Sequence, residues 1–189
     1  MKSLKAALFT IAVIAFMTQA YSQMWDETPV SEKNFGDRLF FGGGFGMNFG
    51  TTTMIEVAPL IGYQLTDEIT VGTGFTYKYI SGQYVNGSTL YRFETTLYGG
   101  KAFANYMIAG KFFPHIEYEG LSLEKEYFDF AHGYPDDGRF WYHSILVGAG
   151  YYMPFKGRGG MYIIGLYNLN DSSNSPYGSP LIWRMGFTF

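Results

Sequence analysis

Three histidines are the residues best equipped for catalysis, and their neighbours limit what they can do. His143 and Ser144 are adjacent, so in an extended chain a base and its nucleophile point to opposite sides. His115, Ile116 and Glu117 put an imidazole and a carboxylate on one side, but no serine nucleophile accompanies them. His132 falls in a loop-like stretch. All three read as interfacial or loop histidines, and no enzyme is expected. The run FGGGFG at 41–46 is only superficially a phosphate-cradling loop, because alternation continues through it and no helix start follows. Gly43, Gly72, Gly74, Gly148 and Gly150 read instead as close backbone packing in a strongly bent sheet. The acidic residues match no EF-hand spacing, and neither a cofactor nor a metal ion is expected.

Isolated charges form the second chemically able set. Arg38, Glu56, Lys78, Arg92, Glu94, Lys111 and Arg184 stand among glycines and threonines, on the face opposite the bulky apolar residues. They are expected to meet in an interior too narrow for a channel, with Glu56 or Glu94 paired to Arg92, Lys78, Lys111 or Arg184. A narrow conducting path is the competing reading. A third set lies in EGLSLEKEYFDFAHGYPDDG at 119–138. There Glu124, Glu126, Asp129, Asp136 and Asp137 are interleaved with Tyr127, Phe128, Phe130 and Tyr134. Acids and aromatics on an exposed loop suit a protein contact, or a solvated loop folded over a mouth.

The elements that carry these residues follow from composition and period. Aromatics make up 20% of the 189 residues and charged residues only 15%, against roughly 25% in an average soluble domain. No apolar run approaches the roughly 20 residues of a membrane-spanning helix. The apolar residues recur at every second place instead: Ile69, Val71, Thr73, Phe75, Tyr77 and Tyr79 share one face, and Thr70, Gly72, Gly74, Thr76 and Lys78 the other. In the first segment Leu39, Phe41, Phe45, Met47 and Phe49 alternate with Phe40 and glycines; in the fourth, Phe93, Thr95 and Leu97 oppose Arg92, Glu94, Thr96 and Tyr98. Eight strands are predicted near 38–49, 54–65, 68–80, 91–100, 105–118, 139–153, 160–169 and 180–189, with no helix. The seventh is apolar on both faces and has no evident orientation. Between strands, long odd-numbered connections alternate with short even ones, apart from a short first connection.

A soluble barrel puts bulky apolar residues inside and polar ones outside. Here the bulky face is too large for an eight-stranded interior, so it is expected to face lipid, where closure also satisfies every backbone group. Tyr63, Tyr77, Tyr79, Trp141, Tyr151, Trp183, Phe187 and Phe189 lie toward strand ends, as an interfacial girdle does. Lys2, Lys5, a 12-residue apolar run interrupted only by Thr10, and Ala20-Tyr21-Ser22 predict a signal peptide over 1–22. A periplasmic tail over 23–37 and a barrel over 38–189 follow. With the leader's two lysines removed, 11 basic residues face 16 acidic ones, which disfavours nucleic acid as a partner. An exported chain with no cysteine has no disulfide framework.

A leader, about eight alternating strands and a final Phe189 with Phe187 two places before it resemble the small outer-membrane β-barrel family, which includes OmpA-type and OmpX-type transmembrane domains. The resemblance implies an all-β, antiparallel, eight-stranded transmembrane up-and-down barrel, OmpA-like or porin-like in class, in the bacterial outer membrane. It also implies that Phe189, Phe187, Met185 and Trp183 form the signal read by the barrel-assembly machinery. The partners then expected are outer-membrane lipid and lipopolysaccharide, and that machinery during biogenesis; the role is structural or adhesive at the cell surface, or that of an accessory subunit beside a larger outer-membrane complex. The enzymatic alternative within this class is lipid A modification; a deacylase of that type carries His-x-Ser on one outward strand face, and His143-Ser144 lacks that spacing.

Overall fold

The computed structural model describes residues 29–48, 52–86, 89–128, 138–155, 159–177 and 179–189. The predicted signal peptide lies outside them. A 3-10 turn, Val30–Glu32, and a one-turn helix, α1 (Phe35–Arg38), precede β1 (Leu39–Asn48). Then follow β2 (Thr52–Gln64), β3 (Ile69–Asn86), β4 (Thr89–Tyr106) and β5 (Phe112–Glu124). A second helical turn, α2 (Lys125–Phe128), leads to β6 (Arg139–Pro154), β7 (Gly160–Asn168) and β8 (Leu181–Thr188). Each strand pairs antiparallel with its sequence neighbours, and β1 with β8, giving a closed up-and-down barrel. Phe41 and Phe189 exchange backbone hydrogen bonds of 2.8 and 3.3 Å at the closing seam, beside the Gly42–Thr188 and Gly43–Phe187 pairs.

Several expected boundaries move. The fifth strand begins at Phe112, not near 105, so the second even turn is 107–111 and residues 101–104 belong to β4. Residues 81–90 are not a long loop: the β3–β4 ladder runs on to the Asn86–Thr89 pair. The expected alternation of long and short connections therefore fails at the second odd one. The asymmetry lies in strand length instead, with 18 residues in β3 and β4 against 9 and 8 in β7 and β8. At about 3.3 Å per residue the long hairpin stands well above the rim on the β7–β8 side.

The interior also departs from expectation, because it is not glycine and charge alone. Met107, Phe113, Leu146, Tyr152, Ile164, Leu166 and Ile182 form one buried cluster; Leu97, Leu121, Leu123 and Tyr142 form another. Rings fit inside so small a barrel because each faces a glycine across the ladder. Phe40 opposes Gly62, Phe103 opposes Gly72, Phe113 opposes Gly150 and Tyr162 opposes Gly186. A Cβ on any of these four glycines would run into the opposing ring. Gly150→Val is therefore expected to lower the unfolding free energy by about 1–3 kcal/mol through overpacking. Urea titration of the refolded chain reads this, and adding Phe113→Leu should restore part of the loss.

Candidate functional site

The strands bring a set of charged groups to one level of the barrel axis, between the two apolar clusters. Glu117 and Glu119 project inward from alternate places on β5 and are almost wholly buried. Arg184 of β8 reaches across: Nη1 donates to Glu117 Oε1 at 2.5 Å and Nη2 to Glu119 Oε1 at 3.1 Å. Lys101 Nζ of β4 lies 3.1 Å from Glu117 Oε2. On the far wall, Lys78 Nζ lies 3.0 Å from Glu56 Oε2. These six interior groups are three cations and three carboxylates, each in an ion pair. Removal of such charges from water costs several kcal/mol per ion, and only this mutual pairing offsets it.

Tyr177, carried by the 169–180 connection, enters the barrel from the odd-numbered end and completes the cluster. Its hydroxyl donates to Glu119 and accepts from Arg184 Nη2 at 2.8 Å, and its ring lies 5.2 Å from Lys78 Nζ. Burial raises the Tyr177 phenol well above its ordinary value; Arg184 pulls it down and Glu119 adds to the rise. The hydroxyl therefore stays protonated as the donor Glu119 needs. Tyr177 also packs on both apolar clusters, so one loop residue ties the two halves of the core together.

On the other side of the charged layer, toward the even turns, lies a cavity of about 60 Å³. Its walls include the rings of Phe40, Phe103 and Phe113, and the polar groups of Lys101, His115 and Glu117. His115 stacks on Phe103 with centroids 5.7 Å apart. Its Nδ1 lies 2.5 Å from Asn105 Oδ1, and its Nε2 lies 3.4 Å from Glu117 Oε2.

Of the seven charges predicted for the interior, Glu56, Lys78 and Arg184 are there. Four are not. Arg38 ends α1 outside the sheet and donates from Nε to Lys33 O at 3.1 Å. Lys111 is exposed in the 107–111 turn, because β5 starts after it. Arg92 and Glu94 are exposed on the outer face of the long hairpin: β4 sets Thr95 and Leu97 inward, so its faces are the reverse of those expected. A register shift of one residue exchanges the two faces of a strand, and Lys78 opposing Leu97 fixes this one. Lys101, Glu117, Glu119 and Tyr177 were missed. The signal was the unbroken alternation of His115, Glu117 and Glu119 against Ile116 and Tyr118, which marks one strand through Glu119 rather than a loop start.

The outward face carries the rest. His143 is exposed on β6 and Ser144 buried, on opposite faces as read from their adjacency. His143 Nδ1 lies 2.8 Å from Tyr118 Oη on the neighbouring strand. Above them Arg139 closes the end of the β4–β5 ladder: Nη1 bonds Glu124 Oε1 at 2.8 Å and Nη2 donates to Thr96 O at 2.6 Å. Glu124 of the predicted contact loop is thus a strand-end clip. Glu126 is exposed, Tyr127 stands 6.0 Å from the Phe93 ring, and Phe128 packs on the inner leucine cluster. Asp129, Phe130, Tyr134, Asp136, Asp137 and His132 lie outside the described residues. On β8, Trp183, Met185 and Phe187 are exposed, while Ile182, Gly186 and Thr188 are buried. Among the described residues no group of three or more His, Asp or Glu is placed to hold a metal ion.

No family model and no curated protein matches the chain. Among solved structures it is similar to the N-terminal β-barrel domain of Pseudomonas aeruginosa OprF, at 16% sequence identity and a TM-score of 0.40, over 80% of this chain and 98% of that one.

Proposed function

We propose that the chain is an integral, non-enzymatic β-barrel of a bacterial outer membrane with a sealed interior. Its role is structural or adhesive at the cell surface, or that of an accessory subunit of a larger outer-membrane complex. The observation that carries this reading is the outward face. Every strand exposes large apolar side chains, from Phe41 and Phe45 on β1 through Phe75, Ile116, Ile145 and Ile163 to Trp183 and Met185 on β8. About twenty such side chains, each leaving on the order of 100 Å² uncovered, make a belt several times larger than the biggest apolar patch of a usual soluble monomer.

The belt has edges. Tyr106, Phe112 and Phe187 lie near the even turns, and Tyr98, Tyr118, Trp141 and Trp183 toward the odd end. From Tyr98 to Tyr106 the strand rises about 27 Å, or roughly 20 Å along the normal at a tilt of about 40°, close to the apolar band of such barrels. Beyond Tyr98 and Trp141 the outer face turns polar, with Glu94, Arg92, Glu124 and Arg139 on the projecting strands. That projecting wall would be the working surface.

Refolding into phospholipid vesicles tests the reading. The expected result is a β-rich, protease-resistant species whose gel mobility changes on boiling, with no single-channel conductance in planar bilayers. Failure to enter vesicles while staying monomeric in water would overturn the membrane assignment; steady conductance would overturn the sealed interior. Stoichiometric recovery of a second outer-membrane protein from native membranes would separate subunit from free barrel.

A further inference from the structure

The segment that leads into β1 is fastened along the rim at the even end. Val30 is buried, and its N–H donates to Asp67 Oδ1 at 2.7 Å in the turn between β2 and β3. Phe35 then opens α1 with its ring tilted against Tyr63 of β2, the centroids 5.2 Å apart. Arg38 Nε donates back to Lys33 O just before β1 starts. Residues 30–38 therefore run along the rim beside β2, held at both ends, instead of hanging from the first strand. Phe35 is nonetheless 70% exposed, the most of any large apolar side chain among the described residues. A loose chain does not account for that exposure, because the ring is tethered on both sides.

The even turns repeat the pattern. Leu65 continues the outward row of Ile61 and Tyr63 past the end of β2, and Ile108 continues Tyr106 past β4. Phe155 follows Met153 past β6 and stacks on Phe187, with centroids 6.5 Å apart. All three are exposed. Turns draw on small and polar residues for their backbone geometry. Here each even turn adds one large apolar side chain in line with the belt, while Asp67, Glu68 and Lys111 occupy the turn tips. Strand alternation makes the apolar three radial, so they point away from the barrel axis and not down it. A protein capping the even mouth would need apolar groups directed along the axis. Radial groups at the level of the turns suit a surrounding layer that is apolar on one side and wet on the other.

We propose that α1 and the even turns form an anchor in the phospholipid interface. Phe35, Leu65, Ile108 and Phe155 enter the boundary between headgroups and acyl chains, and the 30–38 segment lies along it. The anchor rests on the membrane reading above and adds a site to it. From Val30 onward, the stretch predicted as a periplasmic tail belongs to the lipid-contacting surface.

The chain has no cysteine, so single-cysteine variants can carry one nitroxide label each. Phe35→Cys, Ile108→Cys, Glu32→Cys and Ile116→Cys are refolded into phosphatidylcholine vesicles, and heat-modifiable mobility verifies that each has folded. Collisions with oxygen, which concentrates in lipid, are compared with collisions with a water-soluble nickel chelate. Glu32 is exposed on the polar 3-10 turn and serves as the aqueous reference; Ile116 reports the belt alone. The labels at 35 and 108 are expected to favour oxygen, with ratios between those at 32 and 116. A label at 35 as open to nickel as the one at 32, with 116 still in lipid, would overturn the anchor and leave the membrane reading standing. A label at 116 open to nickel would overturn both. A label at 35 shielded from both reagents would put protein on Phe35 in place of lipid, and the anchor would fall.

Discussion

Replacing Arg184 with methionine is expected to cost about 3–5 kcal/mol of unfolding free energy, the range seen when one partner of a buried ion pair is removed. Arg184 is the only group that touches both Glu117 and Glu119 through ion pairs in the described interior. Without it Glu119 keeps the Tyr177 hydroxyl and no cation, and Glu117 keeps Lys101 and His115. The penalty falls mainly on Glu119, which is 1% exposed and cannot recover the lost charge from water. Arg184→Met/Glu119→Gln should therefore recover part of the loss, because the second change removes the stranded charge. Lys78→Met is the comparison: it strands Glu56, whose side chain is 20% exposed, and a smaller loss follows. Urea titration followed by tryptophan fluorescence reads all four chains. Arg184→Met as stable as the parent would mean that the network does not hold the barrel together.

The same residues separate what was legible in the sequence from what was not. Eight alternating segments were legible because period-2 patterning is local: the third strand's Ile69-to-Tyr79 face and the last strand's Leu181-to-Phe187 face each declare themselves without a partner. Glu56, Lys78 and Arg184 were legible as inward charges for the same reason. Arg92 and Glu94 were not, because a strand with apolar residues on both faces can be set either way, and the choice was made by the pairing of Lys78 with Leu97. Alternation gives a face, never a sign. Lys101 and Glu119 lie at strand boundaries that local alternation does not mark, and only the ladder shows that pairing continues past them. Tyr177 was beyond reach in principle, since nothing in a loop sequence says that its ring will enter the barrel. The aromatic–glycine pairs are a third kind of loss. Phe40, Phe103, Phe113 and Tyr162 are ordinary strand residues alone, and the space that admits them belongs to a glycine on another strand.

Arginine placed on the outward face should divide the lipid reading from an aqueous one by depth. Ile116 is 53% exposed at the middle of the β5 outer face, and Tyr106 is 50% exposed at the even-turn edge of β4. The two are nearly alike in exposure and differ in height. For a barrel in water, arginine at either place is close to neutral or improves solubility, because both sites already face solvent. For a barrel in lipid the cost depends on depth: about 2–4 kcal/mol for Ile116→Arg near the midplane and about 0–1 kcal/mol for Tyr106→Arg near the interface. Urea unfolding from phospholipid vesicles gives the difference directly. Ile116→Arg leaves the Glu117 network untouched, because the two residues lie on opposite faces of the strand. Equal stability of Ile116→Arg, Tyr106→Arg and the parent in vesicles would remove the belt as an argument for lipid, because exposure alone cannot then distinguish the two heights.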